Sequence, residues 1–377
     1  MPGRVLSPYE QVPETKVDLD WAELVTLDLS LFGTPGGKQK LAKQLEYAAQ
    51  HVGFFYVVNF DISQDEVNRQ FALGREFYDL PLDEKLKYHN LKDLESGEYN
   101  GYRPAGLRQL ISYGLKDNIK DNIQVYNLPK FDGYHKRAQP PVLQDHIAEI
   151  EDFSRACQTK VVEKLLVLIA IMLELPDENQ LVEQHKYIDR GEDHLRYMHY
   201  AARSIGENRA VGDLYSPGHT DLGSVTLLFR QPVCALQILN SQGEWKWVKP
   251  QDATITVNLC DALAAMTGGY LKSSVHRVHA PPDDQAHVDR LGVLYFARPN
   301  NHVILDPISN SPVLKRLGLE SNDFTKIGQH LSMEEWVKLR QTQQQRRTKA
   351  PKIEGTKYEY AEKELEILPG LAAKVYS

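Results

Sequence analysis

The sequence predicts a mainly β fold with α: a double-sheet β core in the second half of the chain, packed against an N-terminal helical layer. Three observations predict it. From 195 to 306, short apolar runs recur between turn residues, at a spacing typical of sandwiches and double-sheet barrels. Before 190, apolar residues recur instead at helical intervals. No Pro- or Gly-rich linker separates the halves, so they read as one integrated fold.

The elements follow in order. Residues 1–20 read as a polar lead-in. Leu24-Val25-Thr26-Leu27-Asp28-Leu29 alternates as a strand does, and Gly33-Thr34-Pro35-Gly36-Gly37 closes it with breakers. Leu41, Leu45, Ala48 and Ala49 mark a helix; the continuous apolar run from Gly53 to Asn59 marks a strand buried on both faces. Val67, Phe71 and Phe77 mark a second helix, ended by Leu80-Pro81. Residues 94–141, rich in Gly, Pro, Asn and Tyr, read as loops with short strands, and a long helix over 142–175 stops before Pro176. Strands are expected at 195–200, 224–229, 236–239, 245–248, 254–258, 274–279 and 291–296. A capped helix begins at Ser332-Met333-Glu334-Glu335, and a charged tail runs to Ser377. The resulting division is a lead-in (1–20), an N-terminal α/β region packing on the core (21–190), the core itself (191–310), and a C-terminal helix and tail (311–377).

The 377 residues are 42% hydrophobic, 25% charged and 9% aromatic, enough for a large buried core. A net charge of −7 gives no electrostatic footprint for nucleic acid, and Arg346-Arg347-Thr348-Lys349 reads as a solvated helix end. Three cysteines (Cys157, Cys234, Cys260) without CxxC spacing fit a reducing compartment rather than a disulfide framework. The first ten residues hold no apolar stretch suited to secretion, and the apolar run 165–173 is far shorter than the roughly 20 residues a bilayer span needs. Cytoplasm is the default, with no membrane partner expected.

The chemistry concentrates in His219-Thr220-Asp221 and in His276 of Ser274-Val275-His276-Arg277-Val278. Two imidazoles and one carboxylate can occupy one face of an octahedral metal and leave the opposite face open for an organic cosubstrate and O₂. With Thr220 between them, His219 and Asp221 point the same way in an extended segment. By themselves they fit a hydrogen-bonded Asp–His turn equally well. In a strand over 274–279, His276 and Val278 share one face and His279 the other; alternation alone does not say which face looks inward. His89, His135, His185 and His287 sit among polar residues and read as solvated. Arg290, Gly292, Leu294 and Phe296 share a face, which places a guanidinium at the end of an apolar wall. That arginine is either a surface salt-bridge partner or, inside a barrel, a bidentate grip on a carboxylate.

Taken together, these residues resemble the isopenicillin N synthase-like branch of the Fe(II)/2-oxoglutarate-dependent oxygenases. The resemblance runs from about Leu24 to Pro299. It is carried by the segments from Gly53 to Asn59, from Phe77 to Lys85 and from His219 to Leu228, by Leu236-Gln237, and by the segment from Ser274 to Val278. The segments from Asp121 to Asn127 and from Arg290 to Phe296 look most like fungal members, many of which act in natural-product pathways. The resemblance implies a double-stranded β-helix (jelly-roll) core, with Fe(II) held by His219, Asp221 and His276. It further implies 2-oxoglutarate bound by Arg290 and Tyr200, and O₂ as the second cosubstrate. Tyr102, Arg103 and Phe296 fall where relatives place substrate-side residues, although Tyr102 also reads as a plain loop aromatic. No catalytic residue is implied beyond the metal ligands. The implied reaction oxidises a small organic molecule, by default hydroxylating it, with succinate and CO₂ as coproducts. Asp221 argues against a halogenase, where chloride takes that coordination position.

The sequence also departs from the family pattern. The usual Arg-x-Ser reads Arg290-Leu291-Gly292, which removes one hydroxyl from the carboxylate site. A hydrogen bond to a charged group is worth about 1.5–3 kcal/mol, so the loss weakens binding about tenfold unless Tyr200 or water substitutes. Cys260-Asp261, Gly268-Gly269 and Asn59-Phe60-Asp61 replace other common pairs at positions read as structural. Three rivals carry their own discriminators. An iron oxidase of the same superfamily that does without 2-oxoglutarate forms no succinate. A zinc hydrolase works with Zn²⁺ and takes up no O₂. A non-catalytic binding module has no need of three intact ligands.

Overall fold

The computed structural model describes residues 6–89, 100–106, 119, 121–349, 362–368 and 371–376, the side chains beyond 341 excepted. Twelve strands build the body: β1 Thr26–Asp28, β2 Phe54–Val58, β3 Gly101–Arg103, β4 Ile123–Pro129, β5 His194–Tyr200, β6 Leu214–His219, β7 Val225–Phe229, β8 Leu236–Leu239, β9 Trp245–Trp247, β10 Ile255–Leu259, β11 His276–His279 and β12 Arg290–Ala297. An eight-stranded sheet has the order β1-β2-β10-β7-β12-β5-β4-β3, and a four-stranded sheet the order β6-β11-β8-β9. The N-terminal region therefore supplies four strands to the sheet that carries the core, with β2 antiparallel to β10 and β4 antiparallel to β5.

Strand alternation divides the packing. Val225, Leu227, Ile255, Val257, Val293 and Tyr295 lie on the outer face of the large sheet, in one hydrophobic cluster with helical residues such as Leu41, Phe71, Phe153 and Leu165. Those residues belong to helices α1 Gly37–Tyr47, α2 Gln64–Tyr78, α3 Ile147–Ala156 and α4 Glu163–Met172. The inner face is thinner and more polar. Two small clusters join it to the four-stranded sheet: Ile123, Val125 and Tyr200 with Tyr215 and Val278, and Phe54 and Tyr56 with Leu236 and Ile238. The space between them is where the polar inner-face residues gather. Among the described residues no helix is long and apolar enough to cross a membrane.

Four sequence expectations are corrected. The helix expected over 142–175 is a short turn, Pro141–Gln144, followed by α3 and α4 joined through a π-helical stretch at Cys157–Val162. The lead-in is strapped to the body. Leu6 is buried, Tyr9 stacks on Phe71 at 4.8 Å, Thr15 and the Lys16 amide both donate to Asp284, and Lys246 pairs with Asp20. The charged tail contains an antiparallel strand pair, Glu362–Leu368 with Leu371–Tyr376. His185 is buried at 1% exposure, its Nδ1 2.6 Å from the Leu181 carbonyl and its Nε2 2.6 Å from Ser224 Oγ. The polar residues beside it in sequence suggested solvation, but its partners are a backbone carbonyl and a distant serine.

Candidate metal centre

Three side chains from two places in the chain meet at one end of the small sheet. β6 and β11 pair antiparallel with His219 directly opposite His276, which puts the two imidazole centroids 4.3 Å apart. Asp221 follows β6 by two residues and turns back. Its Oδ1 lies 3.9 Å from His219 Nε2 and 3.8 Å from His276 Nε2. All three ligand atoms fall within 4.8 Å of one another. β6 escaped the sequence reading because Pro217-Gly218 looks like a breaker. The proline is tolerated because β6 is the outermost strand of its sheet and its pairing with β11 is irregular. Register also decides the face of β11: His276 looks inward, while His279 packs against Trp247 on the other side.

The surrounding bonds orient the facing atoms. His219 Nδ1 lies 2.9 Å from the Pro217 carbonyl and His276 Nδ1 3.2 Å from the Ser274 carbonyl. Each ring thus donates its Nδ1 proton to the backbone and keeps the Nε2 lone pair for the centre. The second carboxylate oxygen of Asp221, Oδ2, accepts from Thr226 Oγ1 at 2.7 Å and Asn258 Nδ2 at 2.9 Å. Burial pushes the Asp221 carboxyl up, but the two imidazoles and these two donors outweigh it and hold its pKa down to about 2. A second acid braces the turn: Asp261, at the start of helix α5 Asp261–Met266, accepts from Thr220, Ser273 and Arg340. The His276 side chain is 9% exposed and that of His219 43%, so the centre opens on the His219 side. Two imidazole nitrogens, one carboxylate oxygen and a side that opens at His219 fit a divalent metal with vacant coordination positions.

Arg290 and Tyr200 are brought together. They stand opposite each other on β12 and β5, with the guanidinium carbon 5.3 Å from the Tyr200 ring. Arg290 is 4% exposed and forms no ion pair among the described residues; burial holds its pKa below the usual arginine value. In the amide orientation that satisfies both groups, Gln231 Oε1 accepts from its Nη2 and Nε at 2.5 and 2.6 Å. Arg290, Gln231, Cys234, Thr256 and Leu228 line a small cavity of about 20 Å³. Sequence reasoning missed Gln231, which lies on no strand and in no motif.

The three substrate-side candidates separate. Phe296 stands opposite Thr226, the donor to Asp221, and so shares a face with the centre. Arg103 stands opposite Val125 on that same face. Tyr102 stands opposite Tyr126 and packs against Phe77 at 5.6 Å in the helical layer, so it is not brought to the site. Arg196, absent from the sequence reading, is brought there. It shares the β5 face of Tyr200, and period-two counting along 194–200 is the signal that finds it. Its guanidinium carbon lies 4.4 Å from the Phe296 ring, and its Nε donates to Asn127 Oδ1 at 2.8 Å.

Comparison with known proteins follows the same lines. Residues 24–144 match the family described as non-haem dioxygenase in morphine synthesis N-terminal, and residues 192–299 match the 2OG-Fe(II) oxygenase superfamily. The chain is 30% identical over 273 residues to the UPF0676 protein C1494.01 of Schizosaccharomyces pombe, covering 71% of this chain and 80% of that protein. It is 26% identical over 303 residues to the 2-oxoglutarate-dependent dioxygenase frbH of Dothideomycetidae sp. (strain 11243), covering 78% and 88%. In fold it is similar to a full-length Neurospora crassa protein solved in complex with alpha-KG and thymine: TM-score 0.72, 24% identity, 87% of this chain and 99% of that one.

Proposed function

The chain belongs to the 2OG-Fe(II) oxygenase superfamily, and from that membership we propose that His219, Asp221 and His276 hold its iron while Arg290 and Tyr200 seat 2-oxoglutarate. The protein is an Fe(II)- and 2-oxoglutarate-dependent dioxygenase that oxidises a small organic substrate. The observation that carries the residue assignment is the convergence of two Nε2 lone pairs and one Oδ1 within 4.8 Å, every other polar atom of the trio being engaged elsewhere.

When bound, iron and 2-oxoglutarate supply the oxygen activation, with succinate and CO₂ as coproducts. The chain's own residues place and enclose. The backbone carbonyls of Pro217 and Ser274 fix the ring orientations; Thr226 and Asn258 aim the carboxylate. Arg290 offers a buried guanidinium fork to the distal carboxylate, in an environment that strengthens a charge-assisted bond. Phe296 and Leu294 form the apolar wall between that fork and the metal. Hydroxylation is the proposed outcome and natural-product metabolism the proposed setting, supported by the fungal dioxygenase among the relatives. The three buried cysteines support a reducing, cytoplasmic setting.

The test is mutational. His219→Ala or Asp221→Ala is expected to abolish Fe(II) binding and succinate formation, and Arg290→Ala to raise the 2-oxoglutarate requirement with the metal retained. Full turnover in either ligand variant overturns the assignment.

A further inference from the structure

A second guanidinium stands on the inner face, on the Phe296 side of Arg290, and its hydrogen-bond partners are neutral. Arg196 on β5 stands across from Leu294 on β12, four residues along from the Tyr200–Arg290 pair and on the same face. It leans toward the metal end, over Phe296, whose strand partner Thr226 donates to Asp221. Its Nε donates to Asn127 Oδ1 at 2.8 Å, and its Nη2 lies 3.3 Å from His194 Nε2. His194 stacks on Phe296 at 4.6 Å, and its Nδ1 lies 3.1 Å from the Glu192 carbonyl. Its Nδ1 therefore carries the proton, and its Nε2 accepts from Arg196. Burial, with the charges of Arg298 and Arg196, holds His194 neutral, well below the usual histidine range.

Among the described residues Arg196 has no carboxylate within ion-pair distance. Asp221 is the acid whose charge it feels most, and Asp221 is committed to the two imidazoles, Thr226 and Asn258. With iron in place that carboxylate is neutralised by the metal, so Arg196 is not needed as its counter-ion. Arg196 is half-buried on the inner face of the large sheet, the face of Tyr200 and Arg290. A guanidinium taken out of water without an anion is costly, and the cost is recovered when a ligand supplies one. The two arginines thus stand at separate positions along one inner face, one for each acid.

We propose that Arg196 is a substrate-recognition residue and that the substrate is an organic carboxylic acid, its carboxylate paired with Arg196 beside Phe296 and its oxidised carbon held toward the metal. The inference rests on the metal and cosubstrate assignment above. A carboxylate suits the site better than a phosphate, since a single guanidinium fork matches a planar monoanion.

The experiment uses the full chain loaded with Fe(II) and 2-oxoglutarate without oxygen, titrated calorimetrically with benzoate, phenylacetate, indole-3-acetate and hexanoate, each beside its primary amide. At least one acid is expected to bind at least about tenfold more tightly than its amide, the scale of one charge-assisted pair. Arg196→Gln should bring that ratio close to one without changing the 2-oxoglutarate affinity, and Arg196→Lys should keep part of the preference. A wild-type protein in which no acid outbinds its amide, by equal binding or by none, overturns the proposal. A preference that survives Arg196→Gln does so too. The wild-type ratio decides by itself if Arg196→Gln does not fold. Loss of metal-dependent 2-oxoglutarate binding in the wild type would instead sink the underlying site assignment, so the two failures are distinguishable.

Discussion

Asp221 splits its work between two oxygens. Oδ1 faces the imidazoles, and Oδ2 is held by Thr226 and Asn258, so the carboxylate cannot rotate without breaking two bonds. Removing one brace should loosen the site without emptying it. Thr226→Val is expected to lower Fe(II) affinity by about 10–100-fold while the fold is retained, read from metal titration monitored by calorimetry. Gly292 invites the opposite experiment. A Cβ there would meet Leu294 Cδ1 at 3.3 Å and Met198 Cβ at 3.8 Å, and the leucine tip can shift by the few tenths of an ångström required. Gly292→Ser is therefore expected to tighten 2-oxoglutarate binding up to about tenfold, by adding a hydrogen bond to a charged group. Unchanged affinity would mean that Gln231 already serves the carboxylate.

Single elements also carry pH dependence. His185 follows the short helix Gln180–Glu183 and ties the Leu181 carbonyl to Ser224, the residue just before β7. Burial pulls its pKa from 6.5 down to about 4. The unfolded chain therefore takes up this proton first as pH falls, and the native state loses stability between about 6.5 and 4. The loss is on the order of 3 kcal/mol at about 1.4 kcal/mol per pKa unit. Urea midpoints measured across that range should fall with pH in the wild type. The corresponding component should vanish in His185→Leu, whose midpoint is lower at neutral pH because the Ser224 hydroxyl and Leu181 carbonyl lose their partner. A His185→Leu profile as steep as the wild type would place the titration elsewhere.

Across the whole molecule, one sheet serves two cores. Its outer face packs on helices and supplies the bulk of the apolar burial, which frees the inner face to hold Asn258, Thr226, Arg196 and Arg290. The N-terminal strap closes the cosubstrate end. Glu14 pairs with Arg230, and Gln285 donates to the Pro13 and Pro232 carbonyls and accepts from the Cys234 amide. Arg230, Gln231, Val233 and Cys234 all line the cavity at Arg290. Deleting residues 1–16 is expected to raise the Kd for 2-oxoglutarate by about fivefold, near 1 kcal/mol for a pair of this kind, and to leave Fe(II) affinity unchanged. Equal losses of both would mean that the strap stabilises the body as a whole.

The sequence by itself determined the strand-rich second half, the helical layer, and the identity of the residues that meet at the candidate centre, because these are written as local periodicity and short motifs. It also determined the departure at Gly292. Tertiary structure decided the rest. Alternation offered two faces for β11, and only its pairing with β6 turned His276 inward and His279 out. β6 was hidden by Pro217, because an edge position is a property of the sheet and cannot be read from the strand alone. Tyr102 and Arg103 are neighbours in sequence on opposite faces, so one goes to the helices and the other to the inner side. Arg196 and Gln231 carry no motif; Arg196 matters because its hydrogen-bond partners are neutral and Gln231 because it meets the buried Arg290, and both are facts of packing that no local pattern encodes.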